Sequence, residues 1–459
     1  MKKVFILAAV LFVLMYVGAE ATLDRPKNDG VVHLTWATDP NPARQVQCSL
    51  FGQMYPGTEV SVDPQTGDDT KLIVRCATGT GPDILDLGQE SMSTMVDAGI
   101  LLDLTPYASK MGFGPSRTYP AVRNAISLDG RQYRFPCNVF ADAIVYNKAI
   151  FDDHNVPYPK KNWTYDDFIR TAKMIINNPS KSGVQHMAIA NYANTGLLNN
   201  LLVGNGAHLF EPDGLHSALN DPPARAALKQ YHDMMFVDKI LPTPADAAAM
   251  SSQGGWGSGG MDWFSDGKAA MIIIGRWYLI QIPNYPELKG KLGAVTMPRI
   301  GNNPSCTVGG TRAAGINAKS PHWKDALKFL QYLASPAYSK VIVDDGDSLP
   351  PDPDLAKNGK MLITDTENDP AFHQPFVDAI NNARPLDYSP YMDASEVGRW
   401  LGENLQKVEN RIETPSQASR AVADQINEQI RVNLERNPAL QKLYTSRTGK
   451  PYRTDWWRN

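Results

Sequence analysis

The sequence predicts an α/β fold with two lobes. An alternation of strand-like apolar segments and segments with helical periodicity repeats three times before Gly88, as expected for parallel βαβ units with right-handed crossovers. The alternation is interrupted and returns near Arg312. With 459 residues, the chain also exceeds the roughly 250–300 residues at which a single hydrophobic core stops growing. We therefore expect two lobes joined by strands that cross between them.

The elements of the first part of the chain are predicted from their periodicity. They are a strand over residues 31–36, a helix over 42–55, a strand over 58–64, a helix over 68–79 and a strand over 83–87. The segment DGRQYRFP, which starts at Asp129, predicts a hairpin, and the apolar AIVYN that follows predicts a strand. These segments supply the strands of the first lobe and the approach to the second.

The second part of the chain is richer in helix signals. Thr164 is a plausible N-cap because Asp167 follows three residues later. The polar, glycine-rich segment 251–263 predicts a long loop. RAAGINA, from Arg312, predicts a strand, and an amphipathic helix over 322–335 follows it. Residues 395–435 predict a helical carboxyl-terminal region.

The first residues predict a secretory signal peptide. Met-Lys-Lys is followed by an apolar run from Val4 to Val17 and by the small-x-small cleavage pattern Ala19-Glu20-Ala21. This run of about 14 residues is shorter than the ~20 that span hydrocarbon. Because no cysteine follows the run, a lipid anchor lacks its attachment atom. We expect export to the periplasm, cleavage before Thr22 and no membrane anchor.

Charge and cysteine spacing narrow the classes of partner. The formal net charge is −3 and no basic block is present, which argues against nucleic acid or an anionic membrane as partner. Cys48, Cys76, Cys137 and Cys306 lie far apart, without zinc-type spacing, so we expect no metal site and no cofactor. An oxidising compartment permits a disulfide between Cys48 and Cys76, on neighbouring predicted helices. The alternative is that all four are small buried apolar residues.

Seven segments carry a resemblance to a known family. In order along the chain they are ATGTGPDILDL (77–87), AGILLDLTPY (98–107), DGRQYRFP (129–136), VYNKAIFDDHNVPYPKKNWTYDDF (145–168), DGKAAMIIIGRW (266–277), GAVTMPRI (293–300) and VGGTRAAGINAKSPHWKDALKFLQYLASP (308–336). Their order and spacing resemble those of family 1 extracellular solute-binding proteins, the sugar-binding subunits of ABC importers such as maltose-binding protein. The resemblance spans about residues 35–336 and does not cover the region from about Ser348 onward.

The resemblance implies a type II periplasmic binding protein fold, in which two α/β lobes face each other across a ligand cleft. Residues 22–142 and 308–347 would form lobe 1, and residues 143–307 and 348–459 would form lobe 2. The hinge crossings would lie near Phe140–Val145 and near Val308–Gly315. The implied function is that of a monomeric, non-enzymatic periplasmic protein that binds a mono- or oligosaccharide and delivers it to the membrane permease subunits.

Trp277 is the leading candidate for a ligand contact. A sugar presents patches of C–H bonds that pack on aromatic faces, and hydroxyls that need carboxylate or amide partners. Trp277 follows the apolar strand Met271–Ile274, at the carboxyl end where open α/β sheets bind ligands and where the family places a stacking aromatic. Gly275 would let the chain turn there, and Arg276 would point away or toward a hydroxyl. The alternative is a core or interdomain tryptophan.

The other candidates follow predicted strands, stand at the predicted crossings or lie in polar loops and turns. They are Trp36, Asp39, Asp86, Gln89, Glu90, Asn138, Phe140, Tyr192, Trp256, Gly309, Gly310 and Tyr391. Loop packing or solvent exposure is the alternative for each of them. By contrast, Tyr146-Asn147-Lys148 and Asp83 are interpreted as structural residues.

Two rival functions stay open at this point. The chain lacks the phosphate-loop, zinc-protease and nucleophile-elbow motifs, although the two facing carboxylates of a glycosidase need no motif. A different solute, such as a sugar phosphate or a polyamine, is the second rival. Arg276, Arg312 and the GGT turn leave an anionic ligand open.

Overall fold

The computed structural model of the chain describes residues 29–64, 69–190, 194–249 and 259–458. The predicted signal peptide and the candidate residues Tyr192 and Trp256 lie outside the described residues. The strands in chain order are β1 Val32–Ala37, β2 Thr58–Asp63, β3 Ile84–Leu87, β4 Ser127–Leu128, β5 Arg131–Gln132, β6 Arg134–Ala141, β7 Ala143–Asn147, β8 Met187–Ala190, β9 Ala269–Ile274, β10 Leu292–Val295 and β11 Gly309–Ile316.

The strands of the first lobe form a five-stranded mixed sheet in the order β2-β1-β3-β11-β6. The predicted parallel βαβ units are present, because β1 pairs in parallel with both β2 and β3. β11 comes from a distant part of the chain, lies between β3 and β6, and is antiparallel to both. The predicted hairpin is the pair β4-β5, which turns at Asp129 and Gly130, both with positive φ as a tight two-residue turn requires.

The strands of the second lobe form a four-stranded sheet in the order β10-β7-β9-β8. β9 is buried along its whole length and lies between β7, which is antiparallel to it, and β8, which is parallel. An all-apolar strand such as AAMIII is typical of a sheet covered on both faces. The carboxyl end of β9 therefore emerges from a rigid core directly before Gly275 and Trp277.

Helices cover both sheets, and local signals explain several of their ends. Their bounds are Ala43–Met54, Asp69–Ala77, Met92–Asp97, Thr105–Ala108, Lys148–Asp153, Tyr165–Asn177, Asn194–Gly204, Pro222–Phe236, Pro244–Ala249, Gly260–Ser265, Trp323–Leu333, Pro336–Asp344, Pro370–Asn381, Ala394–Glu409, Pro415–Arg436 and Pro438–Thr448. The predicted cap at Thr164 is confirmed as a capping box with Asp167. Asn147 caps the helix Lys148–Asp153 by accepting from the Ala149 amide at 3.0 Å.

The carboxyl-terminal region is helical, as predicted, and belongs to the core of the second lobe. The long helices Ala394–Glu409 and Pro415–Arg436 pack on Asn194–Gly204 and Pro222–Phe236. A buried hydrogen bond from the Tyr231 hydroxyl to Glu409 Oε1, 2.6 Å long, ties two of these helices together. The region that the family resemblance did not reach therefore supports the lobe and is not an appendage.

Two structural expectations need correction. The predicted loop over 251–263 ends in the helix Gly260–Ser265, because Met261, Trp263 and Phe264 are apolar enough to be buried there. The disulfide between Cys48 and Cys76 is not formed, since both cysteines are free and buried. Burial raises the pKa of both thiols to about 11, so they are neutral near pH 7 and pack as small apolar groups.

Candidate functional site

The two sheets are joined where β6 passes into β7 through a single residue, Asp142. The chain returns to the first sheet between Val295, the end of β10, and Gly309, the start of β11. It leaves that sheet a second time beside β6, where Val139 and Leu349 exchange two backbone hydrogen bonds of 2.9 Å. Three chain segments therefore meet at one junction, and a pocket of about 310 Å³ opens beside it.

Two aromatic rings and their glycines lie at this junction. Trp277 and Phe140, both half-buried, line the pocket of about 310 Å³. A Cβ added to Gly275 would lie 2.6 Å from Cδ1 and Nε1 of Trp277, so that ring lies directly over the glycine. Phe140 covers Gly310 in the same way, with its Cζ 2.4 Å from the position of an added Cβ. Each ring occupies its position because the residue beneath it has no side chain.

The residue between Gly275 and Trp277 points the other way. Arg276 is buried, and its guanidinium donates to the backbone carbonyls of Ser348 at 2.7 Å and Val343 at 3.0 Å. It also donates to Nδ1 of His373 at 3.2 Å. Of the two orientations expected for Arg276, the structure shows the one directed away from the pocket. Arg276 holds the third crossing segment in place and is unavailable to a ligand.

A carboxylate and an amide complete the pocket. The Asn200 side-chain nitrogen donates to Asp142 Oδ2 at 2.8 Å, and Asn200 Oδ1 accepts from the Thr307 hydroxyl at 2.7 Å and the Val308 amide at 3.0 Å. Asn200 thus connects the helix Asn194–Gly204 to two of the crossing segments. Burial raises the pKa of Asp142, although the Asn200 hydrogen bond opposes the shift.

Next to this pocket, on the side of the first lobe, two arginines and three aspartates form a buried charged cluster. Arg44 contacts Asp347 at 2.6 Å and Asp39 at 2.9 Å. Arg312 contacts Asp86 at 2.6 Å and Asp39 at 3.2 Å. Burial alone would raise the pKa of Asp347, but the two guanidinium groups outweigh it and lower that pKa to about 2. Asp347 is therefore ionised at neutral pH, whereas burial raises the pKa of Asp86 against the pull of Arg312.

The cluster holds three of the predicted ligand contacts, Asp39, Asp86 and Asn138. Asn138 joins it by donating to Asp347 Oδ1 at 2.8 Å. Within the described ranges, several of its buried polar atoms make no hydrogen bond: Asp86 Oδ1, Asn138 Oδ1, and Nε and Nη2 of Arg312. Asp39 is the most exposed member, with 32% of its side chain accessible. The cluster thus offers hydrogen-bonding capacity and reaches solvent through Asp39.

Trp36 lies in the core of the first lobe instead of facing the cleft as predicted. Its ring has no exposed surface and packs on Phe329 with ring centres 4.9 Å apart. The guanidinium groups of Arg312 and Arg44 lie 5.5 Å and 5.8 Å from the ring centre on the side of the charged cluster. Trp36 therefore supports the cluster by packing and cation–π contact.

A larger cavity of about 800 Å³ lies between the lobes and contains the predicted residues Gln89, Glu90 and Tyr391. Gln89 and Glu90 are half-buried, whereas Tyr391 has no exposed surface and packs in the core of the second lobe. Tyr388, half-buried in the same wall, is the more accessible ring. A hydrogen bond of 3.0 Å from Thr94 to Asp393 crosses from one lobe to the other beside this cavity.

The two candidate glycines have different surroundings. Gly310 lies beneath Phe140 at the junction. Gly309 instead lies against Ala383, whose Cβ would be 2.6 Å from a Cβ added to the glycine, so close packing of the chain explains it. The residues interpreted as structural make structural contacts. Asp83 accepts hydrogen bonds from the Thr35 amide at 2.8 Å and from the Ser320 hydroxyl at 2.5 Å. Tyr146 packs in the core of the second lobe.

Residues 36–340 match the family model described as bacterial extracellular solute-binding protein. The chain belongs to this family. Among curated relatives, it is 25% identical over 311 residues to the diacetylchitobiose binding protein of Streptomyces coelicolor, covering 66% of this chain and 69% of that protein. It is 24% identical over 376 residues to the melibiose/raffinose/stachyose-binding protein of Bacillus subtilis, covering 76% of this chain and 81% of that one.

Solved structures of solute-binding proteins confirm the predicted fold. A substrate-binding protein from Listeria monocytogenes, in complex with cycloalternan, superposes with a TM-score of 0.72 at 22% identity over 87% of this chain and 98% of its own. The sugar-binding protein MalE from Xanthomonas citri gives 0.71 at 18% identity over 88% and 100%. The chain therefore has the type II periplasmic binding protein fold, and these family members and neighbours are binding proteins.

This solute-binding protein also contains candidate residues that the sequence reasoning missed. Asp142 and Asn200 line the junction pocket, and Arg44 and Asp347 complete the charged cluster. Asp142 left a signal, since it is the one charged residue between the apolar ends of β6 and β7. Arg44 and Asp347 left none, because they lie 303 positions apart in the chain. Across the ranges described, no helix is both long and apolar enough to cross a bilayer.

Proposed function

We propose that this protein binds a carbohydrate between its two lobes and delivers it to the permease subunits of an ABC importer. The observation that carries the proposal is the aromatic wall at the lobe junction, formed by Trp277 over Gly275 and Phe140 over Gly310. A flat ring held beside hydrogen-bonding groups fits a ligand that is apolar on its C–H faces and polar at its rim. Relatives named for diacetylchitobiose and for melibiose, raffinose and stachyose support the same class of ligand.

The polar groups around the wall fit the hydroxyls of such a ligand. Asp142 can accept hydrogen bonds at the pocket, while Asp39 and the guanidinium of Arg312 can serve on the side of the first lobe. A hydroxyl both donates and accepts, so a mixture of carboxylate and guanidinium atoms suits it. Buried polar atoms left without partners cost about 1–3 kcal/mol each, and hydrogen bonds from a ligand would offset that cost.

An anionic ligand, such as a sugar phosphate, is disfavoured by the charges at the site. Arg276 is committed to backbone carbonyls and to His373, away from the pocket. Arg312 and Arg44 are already engaged in ion pairs with aspartates, so an added phosphate would have to approach those carboxylates. A neutral polyhydroxylated solute avoids the repulsion that an added phosphate would meet there.

Binding would close the lobes by bending at the crossing segments, as two-lobed proteins do around ligands. The proposed lobes comprise residues 22–142 with 308–347 and residues 143–307 with 348–459. Asn200 ties the helix Asn194–Gly204 to the first and second crossing segments, so bending of these segments would move the pocket wall. Small-angle scattering with and without ligand tests this motion, because an unchanged radius of gyration at saturation would contradict it.

We also propose the compartment, the oligomeric state and the absence of turnover for this protein. We expect export to the periplasm with cleavage before Thr22, a monomer, and no turnover of the bound carbohydrate. Amino-terminal sequencing of the native protein tests the cleavage site. Chromatographic analysis of an oligosaccharide after prolonged incubation with the protein tests for hydrolysis, and cleavage products would contradict the binding role.

The decisive experiment identifies the ligand and then removes the aromatic wall. A thermal-shift screen over neutral oligosaccharides, sugar phosphates and polyamines should show stabilisation by an oligosaccharide, because a ligand of the folded form raises the melting temperature. Trp277→Ala should then weaken binding by about 2–4 kcal/mol, or roughly 30- to 1000-fold in Kd, as for a buried aromatic anchor. Isothermal titration calorimetry measures this loss.

Trp323→Ala is the matched control. Trp323 is also half-buried but packs against Tyr107 at the start of a helix in the first lobe. This variant should keep the ligand affinity of the native protein. If Trp277→Ala keeps its affinity while its denaturant midpoint drops sharply, Trp277 is a packing residue and the proposed site is wrong.

A further inference from the structure

A histidine pair and an aspartate lie together in the second lobe, outside the ligand cleft. His154 Nε2 and His186 Nδ1 are 2.8 Å apart. A carboxylate oxygen of Asp153 lies within 4.8 Å of a ring nitrogen of each histidine. His186 directly precedes β8, whose first residue Met187 pairs with Ala269 at the start of β9. Trp277 follows the opposite end of β9, so this cluster lies at the end of the sheet farther from the proposed carbohydrate site.

The hydrogen bonds around His154 fix which nitrogen can bind a cation. His154 is fully buried, and its Nδ1 lies 3.0 Å from the backbone carbonyl oxygen of Asn178. A carbonyl can only accept, so Nδ1 of His154 carries the proton and Nε2 presents its lone pair toward His186. The Asn178 side chain in turn donates to the His154 carbonyl at 3.1 Å. Histidine ligands of metals are oriented by outer hydrogen bonds of this kind.

The other two groups are positioned at the surface, where a cation can enter. Asp153 is held by the Ser180 hydroxyl at 2.5 Å and by the Ser182 amide at 2.8 Å. Asp153 and His186 are both partly exposed, and His186 also lines a pocket of about 370 Å³. The buried His154 therefore forms the floor of the cluster, and two accessible groups form its rim.

We propose that Asp153, His154 and His186 form a site for a divalent transition metal ion such as Zn²⁺, with water completing the coordination. Two imidazoles and one carboxylate are a ligand set that suits zinc. Tetrahedral bonds of about 2.0–2.1 Å place two ligand nitrogens about 3.3 Å apart, so the pair must widen by roughly 0.5 Å. His186, which is partly exposed, can supply this movement.

The proton balance of binding is simple. In the free protein, Nδ1–H of neutral His186 donates a hydrogen bond to Nε2 of His154, because the proton of His154 is on its Nδ1. On binding, that proton leaves Nδ1 and His186 adopts its other neutral tautomer, protonated at Nε2, so both facing nitrogens offer lone pairs to the metal. Asp153 contributes its carboxylate, and the metal joins the end of the helix Lys148–Asp153 to the segment before β8.

The spacing of cysteines and histidines led us to expect no metal site, and this proposal departs from that expectation. The reason is that Asp153 and His154 are adjacent in the chain, whereas His186 follows 32 positions after His154. No short-range motif connects them, and the fold alone brings the three together.

The test uses the untagged full chain after removal of metals with a chelator. Calorimetric titration with Zn²⁺ should show one saturable site per chain, and Zn²⁺ should raise the melting temperature in the same concentration range. Co²⁺, used as a spectroscopic substitute, should give the visible absorption of a low-symmetry site. His186→Gln and Asp153→Asn should each weaken binding by more than about tenfold, since even changes to outer-shell partners cost 10- to 100-fold.

His232→Gln is the matched control. His232 is also half-buried and also has an aspartate at 3.1 Å, Asp233, but the described residues hold no third ligand beside it. This variant should bind Zn²⁺ like the native protein. Circular dichroism of Asp153→Asn, whose side chain is at the rim, guards against misfolding as the cause of a loss. The proposal is overturned if the native chain binds no Zn²⁺ stoichiometrically, or if His186→Gln and Asp153→Asn bind it unchanged.

Discussion

Gly275→Ala tests the proposed site without removing any group that touches a ligand. The backbone at Gly275 has φ −76°, which alanine adopts without strain, so the added methyl group acts by its volume alone. That methyl would lie 2.6 Å from Cδ1 and Nε1 of Trp277, whereas ordinary contact begins at 3.4 Å. The Trp277 ring must therefore retreat by roughly 1 Å from its present position, because the methyl and the ring cannot share the space.

Gly275→Ala should lose less ligand affinity than Trp277→Ala, because the Trp277 ring is displaced and not removed. We expect affinity for the identified oligosaccharide to fall by about 1–2 kcal/mol, or roughly 5- to 30-fold in Kd. Overpacking should also lower the free energy of unfolding by about 1–3 kcal/mol, partly offset by the reduced freedom of the unfolded chain. Calorimetric titration and urea unfolding measure the two effects.

Gly398→Ala supplies a control with the same chemical change. Gly398 lies in the helix Ala394–Glu409, and nothing lies within 4 Å of an added Cβ. This variant should gain about 0.5–1 kcal/mol of stability and keep its affinity. In the Trp277→Ala background, Gly275→Ala should cost no further affinity, since no ring remains to be displaced. If Gly275→Ala leaves binding unchanged, or weakens it equally with and without the ring, the reasoning about the aromatic wall is refuted.

Three further predictions address the polar interior. Asp347→Asn leaves Arg44 without its buried partner and should lower the free energy of unfolding in urea by about 3–5 kcal/mol. Burial and the nearby Arg276 lower the pKa of His373 to about 4. The protein should therefore keep its full free energy of unfolding above about pH 6.5 and lose up to about 3 kcal/mol of it as the pH falls toward 4. His373→Gln should abolish this dependence of stability on pH. Asn200→Ala removes the donor to Asp142 and should lower the free energy of unfolding by about 1–3 kcal/mol. Urea denaturation measures this change, and an unchanged midpoint would contradict the role of the hydrogen bond.

Much of the fold could be predicted because its signals are local. The capping box at Thr164 involves a residue three positions away, and the β4-β5 turn depends on Asp129 and Gly130 alone. The apolar run of β9 predicted a buried strand, which the structure confirms. The helix Gly260–Ser265 was missed because glycines around it suggested a loop, and burial of its apolar residues overrode that local preference.

The candidate site was predicted less completely, because the direction of a side chain at a strand end depends on distant packing. Trp36 and Trp277 looked alike in the sequence, because each stands at the carboxyl end of a predicted strand. Phe329 packs on Trp36 from a helix almost three hundred positions later and buries it, whereas Trp277 lies over its own near neighbour Gly275 and stays half-exposed.

The sequence by itself determined the first βαβ units, the strands β7, β9 and β11, the β4-β5 turn, the helices with clear caps or periodicity and the family of this protein, because caps, periodicity and motif order all depend on residues close together in the chain. Only the tertiary structure decided which polar groups meet. Arg44 reaches Asp347 across 303 positions, and β11 brings Gly310 under Phe140 through its pairing with β6. Such contacts are set by the register of the sheet and by the closure of long loops, and no local pattern carries that information.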